Sequence, residues 1–275
     1  MVKIPGPRTS LMMIIAMTTI VQAMPLNHHN VKKAKQIGKE PRQTADSTDT
    51  TAQSSASSTD KIRPGILTTC NNANHFALTF DDGPYIYSSD LIDLLQKEQV
   101  TATFFVNGNN YWNSPSDINP ILQKADGAGF EIASHTYTHP HLSSLSDDQV
   151  KEEMANNEKV IHDAIGKYPA VMRPPYGELT DDQTRLMNQW GYTVVTWSID
   201  VQDWQEGQTV DAEMNIVTDA LNDPASHNII LEHEVYQQTA VDLVPKIIDY
   251  VKSKQLTFVT VAECLGVDAY KDTGI

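Results

Sequence analysis

Asp81 and Asp82 stand side by side after the apolar run Phe76-Ala77-Leu78, and Gly83 and Pro84 follow at once. Successive side chains of a strand point to opposite faces, but a turn set by Gly and Pro can swing both carboxylates toward one cleft. Two bare carboxylates in one pocket repel, so a cation is the natural third party. His135 and His139, in His135-Thr136-Tyr137-Thr138-His139, are four apart and can share one side of a helical turn or tight loop. One Asp and two His make a metal site with positions left open. Each feature alone has an ordinary explanation, as turn chemistry or as a surface His pair. Together, each at the end of an apolar strand-like run, they point to a site.

Three further groups carry chemistry. Arg173, in Arg173-Pro174-Pro175-Tyr176-Gly177, is a fixed cation on a proline-set loop and could hold one of the two carboxylates by a bidentate hydrogen bond. Asp200-Val201-Gln202-Asp203-Trp204 adds carboxylates and a large aromatic. His233, in Ile229-Ile230-Leu231-Glu232-His233, follows a buried strand and is placed to act as a general acid. Taken singly, a structural Arg, an acidic turn with a buried Trp and a structural His explain these residues as well.

These residues need elements to hold them. Strand-like and helix-like patterns alternate from Ile66 onward. The spacing predicts strands over 75–80, 101–106, 130–133, 171–173, 193–197, 228–231 and 257–261. Between them it predicts helices over 89–98, with Leu91, Leu94 and Leu95 on one face, 118–125, 146–165, 181–190, 213–221 and 241–254. Ser146 with Gln149 resembles a capping box. About seven strand-helix units imply a parallel barrel or an open doubly wound sheet, because parallel strands need crossover helices. Every chemical group above lies at or just past the carboxyl end of a predicted strand, which is where a β/α barrel keeps its active site.

The 275 residues are 40% hydrophobic and 20% charged, a globular composition. The net charge of -15 argues against a nucleic-acid partner or an anionic membrane surface. Residues 1–23 carry Lys3 and Arg8, an apolar run from Leu11 to Met17, and small residues at Val21-Gln22-Ala23, the pattern of a secretory signal peptide. Residues 24–65 are polar and Ser/Thr-rich, and are expected to be a disordered linker or pro-segment, trimmed or O-glycosylated. No membrane span or lipid-anchor signal is expected, so the reading is a free extracellular or cell-wall protein with its catalytic domain at 66–275. Cys70 and Cys264, the two cysteines, are expected to pair in an oxidising compartment, with two buried free thiols as the alternative.

Thr79-Phe80-Asp81-Asp82-Gly83-Pro84, His135-Thr136-Tyr137-Thr138-His139, Arg173-Pro174-Pro175-Tyr176, Asp200-x-x-Asp203-Trp204 and Leu231-x-His233, in this order, resemble the five motifs of the polysaccharide deacetylases, the NodB-homology carbohydrate esterases. The resemblance runs from about Ile66 to Val267. It implies a distorted (β/α)7 barrel, a divalent metal, and hydrolysis of N-acetyl or O-acetyl groups on sugars. Phe105-Val106-Asn107-Gly108-Asn109-Asn110, with the leader and Ser/Thr-rich stretch, looks most like the secreted fungal chitin deacetylases. The resemblance assigns Asp82, His135 and His139 to the metal, Zn2+ with Co2+ as the alternative, and Asp81 to the general base. It gives Arg173 the orienting of Asp81, Tyr176 a backbone oxyanion donor, Trp204 a wall of the cleft, and Leu231 a contact for the acetyl methyl. His233 becomes the acid, held by Asp203. Glu232 and Glu234 depart from the usual pattern and put substrate fine-tuning in question.

The implied substrate is chitin or chitooligosaccharide, taken by a monomer, with acetylxylan or peptidoglycan as alternatives. A non-haem Fe(II) oxygenase also uses two His and one carboxylate, but leaves Arg173, Asp81 and the Asp203–His233 pair without roles. A non-catalytic wall-binding module is expected to carry a broken motif, and all five are intact.

Overall fold

A computed structural model describes residues 63–223 and 228–275. The expected signal peptide, and the expected linker as far as residue 62, lie outside the described residues. Arg63 and Gly65, at the end of that linker, are already tied to the barrel: the Arg63 guanidinium donates to Asn71 Oδ1 at 2.6 Å, and the Gly65 N–H to Asn188 Oδ1 at 3.2 Å.

Eight parallel strands form one curled sheet in the spatial order Ile66–Leu67, Thr193–Val195, Val171–Met172, Glu131–Ser134, Thr103–Val106, Thr79–Asp81, Ile230–His233 and Ile199–Asp200. Helices on its outer side complete a distorted (β/α) barrel. The side-chain alternation of a strand decides which residues face which core. Phe105, Ala133, Val171 and Val195 fill the inside of the curl, while Phe104, Ile132 and Phe80 pack outward against helix residues such as Leu91, Leu95 and Ile247. The expected face of the helix Ser88–Glu98 is borne out, with Leu91 and Leu95 buried and Leu94 partly so. The capping box at Ser146 and Gln149 opens the helix Asp147–Ile165.

The sheet takes in two strands outside the expected seven, Ile66–Leu67 and Ile199–Asp200, and three expected elements change their form. The expected strand 75–80 is two pieces: His75–Phe76 pairs with Thr257–Phe258 outside the main ladder, and Thr79–Asp81 enters it. The expected strand 257–261 stops at Phe258, because the Thr260 hydroxyl accepts from the Glu263 N–H and starts the helix Val261–Leu265. Cys264 therefore sits inside a helix rather than after a strand. The expected helix 241–254 is a π-helical turn, Gln238–Leu243, followed by the α-helix Val244–Ser253, with Pro245 in its first turn.

The helix Val261–Leu265 closes the amino-terminal end of the curl. Its Val261 N–H donates to Thr103 Oγ1, and its Ala262 N–H to Glu131 Oε2, both at 2.9 Å, on the first residues of their strands. Cys70 and Cys264 form a disulfide at this end, joining positions 194 residues apart. The opposite, carboxyl-terminal end is left open.

Candidate active site

Asp81 is the last residue of its strand and lies in register with His233, the last residue of the neighbouring strand. His135 and Arg173 each follow the last residue of their strands, Ser134 and Met172. Parallel register thus carries four chemically active side chains to one edge of the sheet. They converge on a cavity of about 390 Å³ whose lining includes Asp81, Asp82, His135, His139, Leu231 and His233.

One wall is a ligand cluster. Asp82, His135 and His139 each turn one ligand atom inward, and these atoms lie within 4.8 Å of one another. Asp82 Oδ1 is 3.5 Å from His135 Nε2 and 3.3 Å from His139 Nε2. His135 Nδ1 meets the Arg173 carbonyl oxygen at 2.8 Å. A carbonyl only accepts, so Nδ1 carries the proton and Nε2 keeps its lone pair for the cluster. Burial, the first cause, pushes the His135 pKa down to about 3 against the pull of Asp82, so the ring is neutral. The buried Asp82 Oδ1 has no hydrogen-bond partner. Two imidazole nitrogens around an orphaned carboxylate oxygen fit a divalent cation.

Behind this cluster lies Asp81, 1% exposed. The Arg173 guanidinium donates to Asp81 Oδ1 at 2.7 Å, to Thr79 Oγ1 at 2.8 Å, and to the Thr196 carbonyl at 3.1 Å. The expected bidentate grip on the carboxylate is therefore single: Nη1 alone reaches Asp81, and Nη2 donates to the Thr196 carbonyl. Phe105 stacks on the guanidinium at 4.1 Å and fixes its plane. Burial raises the Asp81 pKa, opposed by the charge and hydrogen bond of Arg173 and by the charges of His233 and His139.

The facing wall is an acid pair. His233 Nδ1 lies 2.7 Å from Asp203 Oδ1, and Asp203 Oδ2 accepts from the His233 N–H and from the Thr239 hydroxyl, each at 2.8 Å. Burial alone would lower the His233 pKa. The Asp203 hydrogen bond and charge, with Asp81 and Asp82, override it and raise the value to about 9, leaving the imidazolium protonated at neutral pH.

Leu231 lies at the base, 3% exposed, while Tyr176 and Trp204 stand at the rim, each 52% exposed. Tyr176 has φ 60° inside the turn Pro175–Gly177, and its ring stacks on His141 at 3.8 Å and meets His139 edge-on at 4.8 Å. The Trp204 indole N–H donates to Asp200 Oδ1 at 3.3 Å. All ten residues that the sequence singled out for chemistry are thus in or directly behind one cavity, and the two cysteines are at the other end of the barrel. Sequence reasoning gave no role to Trp197 and Tyr236, which also line the cavity, or to Thr79 and Thr239, which bind Arg173 and Asp203. Tyr236 carries no motif, only its place three residues beyond His233. Glu232 and Glu234 line no part of the cavity. Leu231 and His233 face it, so Glu232 between them points the other way, and Glu234 lies under Gly83, where a Cβ would strike its carboxylate.

A three-residue His/Asp cluster, a guanidinium-held carboxylate and a carboxylate-held imidazolium at the mouth of a β/α barrel are the parts of a hydrolase. The polysaccharide deacetylase family profile matches residues 68–195. A chitin deacetylase of Pestalotiopsis sp is 38% identical over 202 residues, covering 73% of this chain and 67% of that one. A chitin deacetylase of Colletotrichum lindemuthianum is 35% identical over 202 residues, covering 72% and 82%. The solved structure of a chitin deacetylase from Colletotrichum lindemuthianum superposes with a TM-score of 0.72 at 32% identity, covering 77% of this chain and 97% of that one. A peptidoglycan-N-acetylglucosamine deacetylase of Bacillus cereus is 33% identical over 193 residues, covering 69% and 67%. The chain belongs to the polysaccharide deacetylase family. It is a deacetylase, a hydrolase acting on amides.

Proposed function

We propose that this protein is a secreted enzyme that removes N-acetyl groups from N-acetylglucosamine units of chitin or chitooligosaccharides, releasing acetate and leaving free amines. The reading is carried by one observation: the Arg173-held Asp81 and the Asp203-held His233 face each other across a cavity that also contains the Asp82, His135 and His139 cluster. Chitin is favoured over other glycans by the two fungal chitin deacetylases reported above.

Asp82, His135 and His139 would hold a divalent ion, Zn2+ by the nitrogen-rich donor set, with Co2+ as the alternative. Such an ion polarises the acetamide carbonyl and lowers the pKa of the attacking water. Asp81 is the base: it takes the proton from that water as the water adds to the carbonyl carbon. Arg173 keeps the Asp81 carboxylate aimed and balances its charge. The Tyr176 backbone N–H donates to the developing oxyanion, an interaction whose removal typically costs about 3 kcal/mol in such reactions. Leu231 receives the acetyl methyl, and Trp204 lines the sugar. His233 then donates its proton to the departing nitrogen, so the amine leaves neutral and the carbon–nitrogen bond breaks; Asp203 keeps that proton available.

The test is acetate release from N-acetylchitooligosaccharides beside acetylated xylan and peptidoglycan fragments, before and after chelation and with Zn2+ or Co2+ restored. Chelator-sensitive release from the chitin oligomers is expected. Release confined to xylan or peptidoglycan would replace the substrate, and no release from any of them with metal bound would favour a wall-binding module.

A further inference from the structure

The ligand-bearing backbone is held in a conformation that the chain disfavours by itself. Asp82 has φ 74°, His139 has φ 58°, and Thr136, directly after His135, has φ 70°. Non-glycine residues avoid this left-handed region, and it persists at functional sites only where the surroundings over-determine it. Two side chains that do not line the cavity supply that determination.

Asn107 is buried and follows the strand Thr103–Val106. Its amide nitrogen donates to the His135 carbonyl at 2.6 Å and the Thr136 carbonyl at 2.8 Å, and its own N–H donates to the Gly83 carbonyl at 2.9 Å. The two carbonyls can only accept, and Asn107 Oδ1 accepts from Asn110 Nδ2 at 3.2 Å, so the amide has one orientation. One residue thereby ties the loop of Asp82 to the loop of His135. Glu153, on the helix Asp147–Ile165, grips the next stretch from the other side. Its carboxylate accepts from the Tyr137 N–H at 3.0 Å, the Thr138 N–H at 2.8 Å and the Thr138 hydroxyl at 2.7 Å. Between the two histidines the Thr136 carbonyl is thus held by the Asn107 side chain, the Tyr137 carbonyl by the Asn109 N–H, and the Tyr137 and Thr138 N–H groups by Glu153.

We propose that Asn107 and Glu153 are positioning residues that set the three ligands before an ion arrives, Asn107 fixing Asp82 against His135 and Glu153 fixing His139. The inference rests on the metal-centre reading above. It gives these two residues an effect on metal affinity although neither touches the ion.

The experiment titrates Zn2+ into metal-free wild type, Asn107→Ala, Asn107→Asp, Glu153→Gln and Glu153→Asp by calorimetry, records Co2+ absorption, and melts each metal-free protein. Both Asn107 variants are expected to bind Zn2+ about 10- to 100-fold more weakly and to alter the Co2+ spectrum. Glu153→Gln is expected to weaken binding by about tenfold, the lower end of that range. Glu153→Asp keeps the charge but shortens the reach, so it also weakens binding if placement matters and leaves it unchanged if only charge does. Variants that melt lower but bind Zn2+ like wild type, with the same Co2+ spectrum, would show a purely structural role and overturn the proposal. If the Asn107 variants do not fold, the two Glu153 variants decide it by the same criterion. Wild type that binds neither ion would sink the metal-centre reading itself, an outcome distinct from wild type binding and the variants binding equally well.

Discussion

His135 and His233 face the same cavity from opposite walls, and their surroundings drive them in opposite directions, one to a pKa of about 3 and the other to about 9. Desolvation lowers the pKa of both, so it is not the difference. His135 leans on a backbone carbonyl, which orients the ring but adds no net charge, and Arg173 and His139 disfavour a proton there. His233 leans on a carboxylate, and Asp203 outweighs the burial penalty. The same side chain is a neutral ring on one wall and a stored proton on the other, decided by what sits behind Nδ1.

The most direct way to break this comparison is to remove the proton-handling group on each wall in turn. Asp81→Asn and His233→Ala are each expected to lower kcat by about 10²- to 10⁴-fold while metal stoichiometry stays that of wild type, read by acetate release and metal analysis. Near wild-type turnover in either would separate that residue from the roles proposed here.

Asp203→Asn tests the acid wall more finely. The folded His233 pKa of about 9 lies above its ordinary 6.5, so its contribution to stability is complete below pH 6.5 and is lost as pH rises through about 9. In metal-free Asp203→Asn, burial is left with less opposition, and the His233 pKa is expected to fall. NMR titration of the imidazole should show this, denaturation midpoints should lose that pH dependence, and the alkaline limit of kcat should move to lower pH. An unchanged His233 titration would assign the shift to Asp81 and Asp82 instead.

The smallest effect on chemistry is expected at the far end of the barrel. Replacing both Cys70 and Cys264 by Ser removes a cross-link over 194 residues, for which the chain-entropy model gives about 5 kcal/mol. The melting temperature should fall by roughly 10 °C, with kcat at moderate temperature and the His233 titration unchanged. A large loss of kcat in the folded variant would mean that the two ends of the barrel are coupled.

The two ends also differ in how far they could be read from the sequence. Asp81, Asp82, His135, Arg173 and His233 were legible because each ends an apolar strand-like run, and a parallel sheet carries such residues to one edge. The strand order was not legible, nor was the pairing of His75–Phe76 with Thr257–Phe258, since two-residue strands have too little periodicity to register. The helix Val261–Leu265 was not legible, and the expected strand 257–261 runs into its first residue, because a local event, the Thr260 cap, outweighs the apolar pattern around it. Glu232 and Glu234 were tied to substrate tuning by their departure from the family pattern, yet both are buried away from the cavity. Burial, with the nearby charges of Asp203 and Glu213, raises the Glu232 pKa well above the carboxylate range.

By itself the sequence determined which functional groups exist and which strand end each occupies, because residue type and apolar periodicity are local properties. The tertiary structure decided what stands behind each group. Arg173 holds Asp81 by one hydrogen bond rather than two, with its Nη2 aimed at the Thr196 carbonyl, and Asn107 reaches two carbonyls on a neighbouring loop. The two histidines are driven apart by partners 38 and 30 residues away along the chain. Hydrogen bonds and charges act through space, and no local pattern in the chain records which distant residue will supply them.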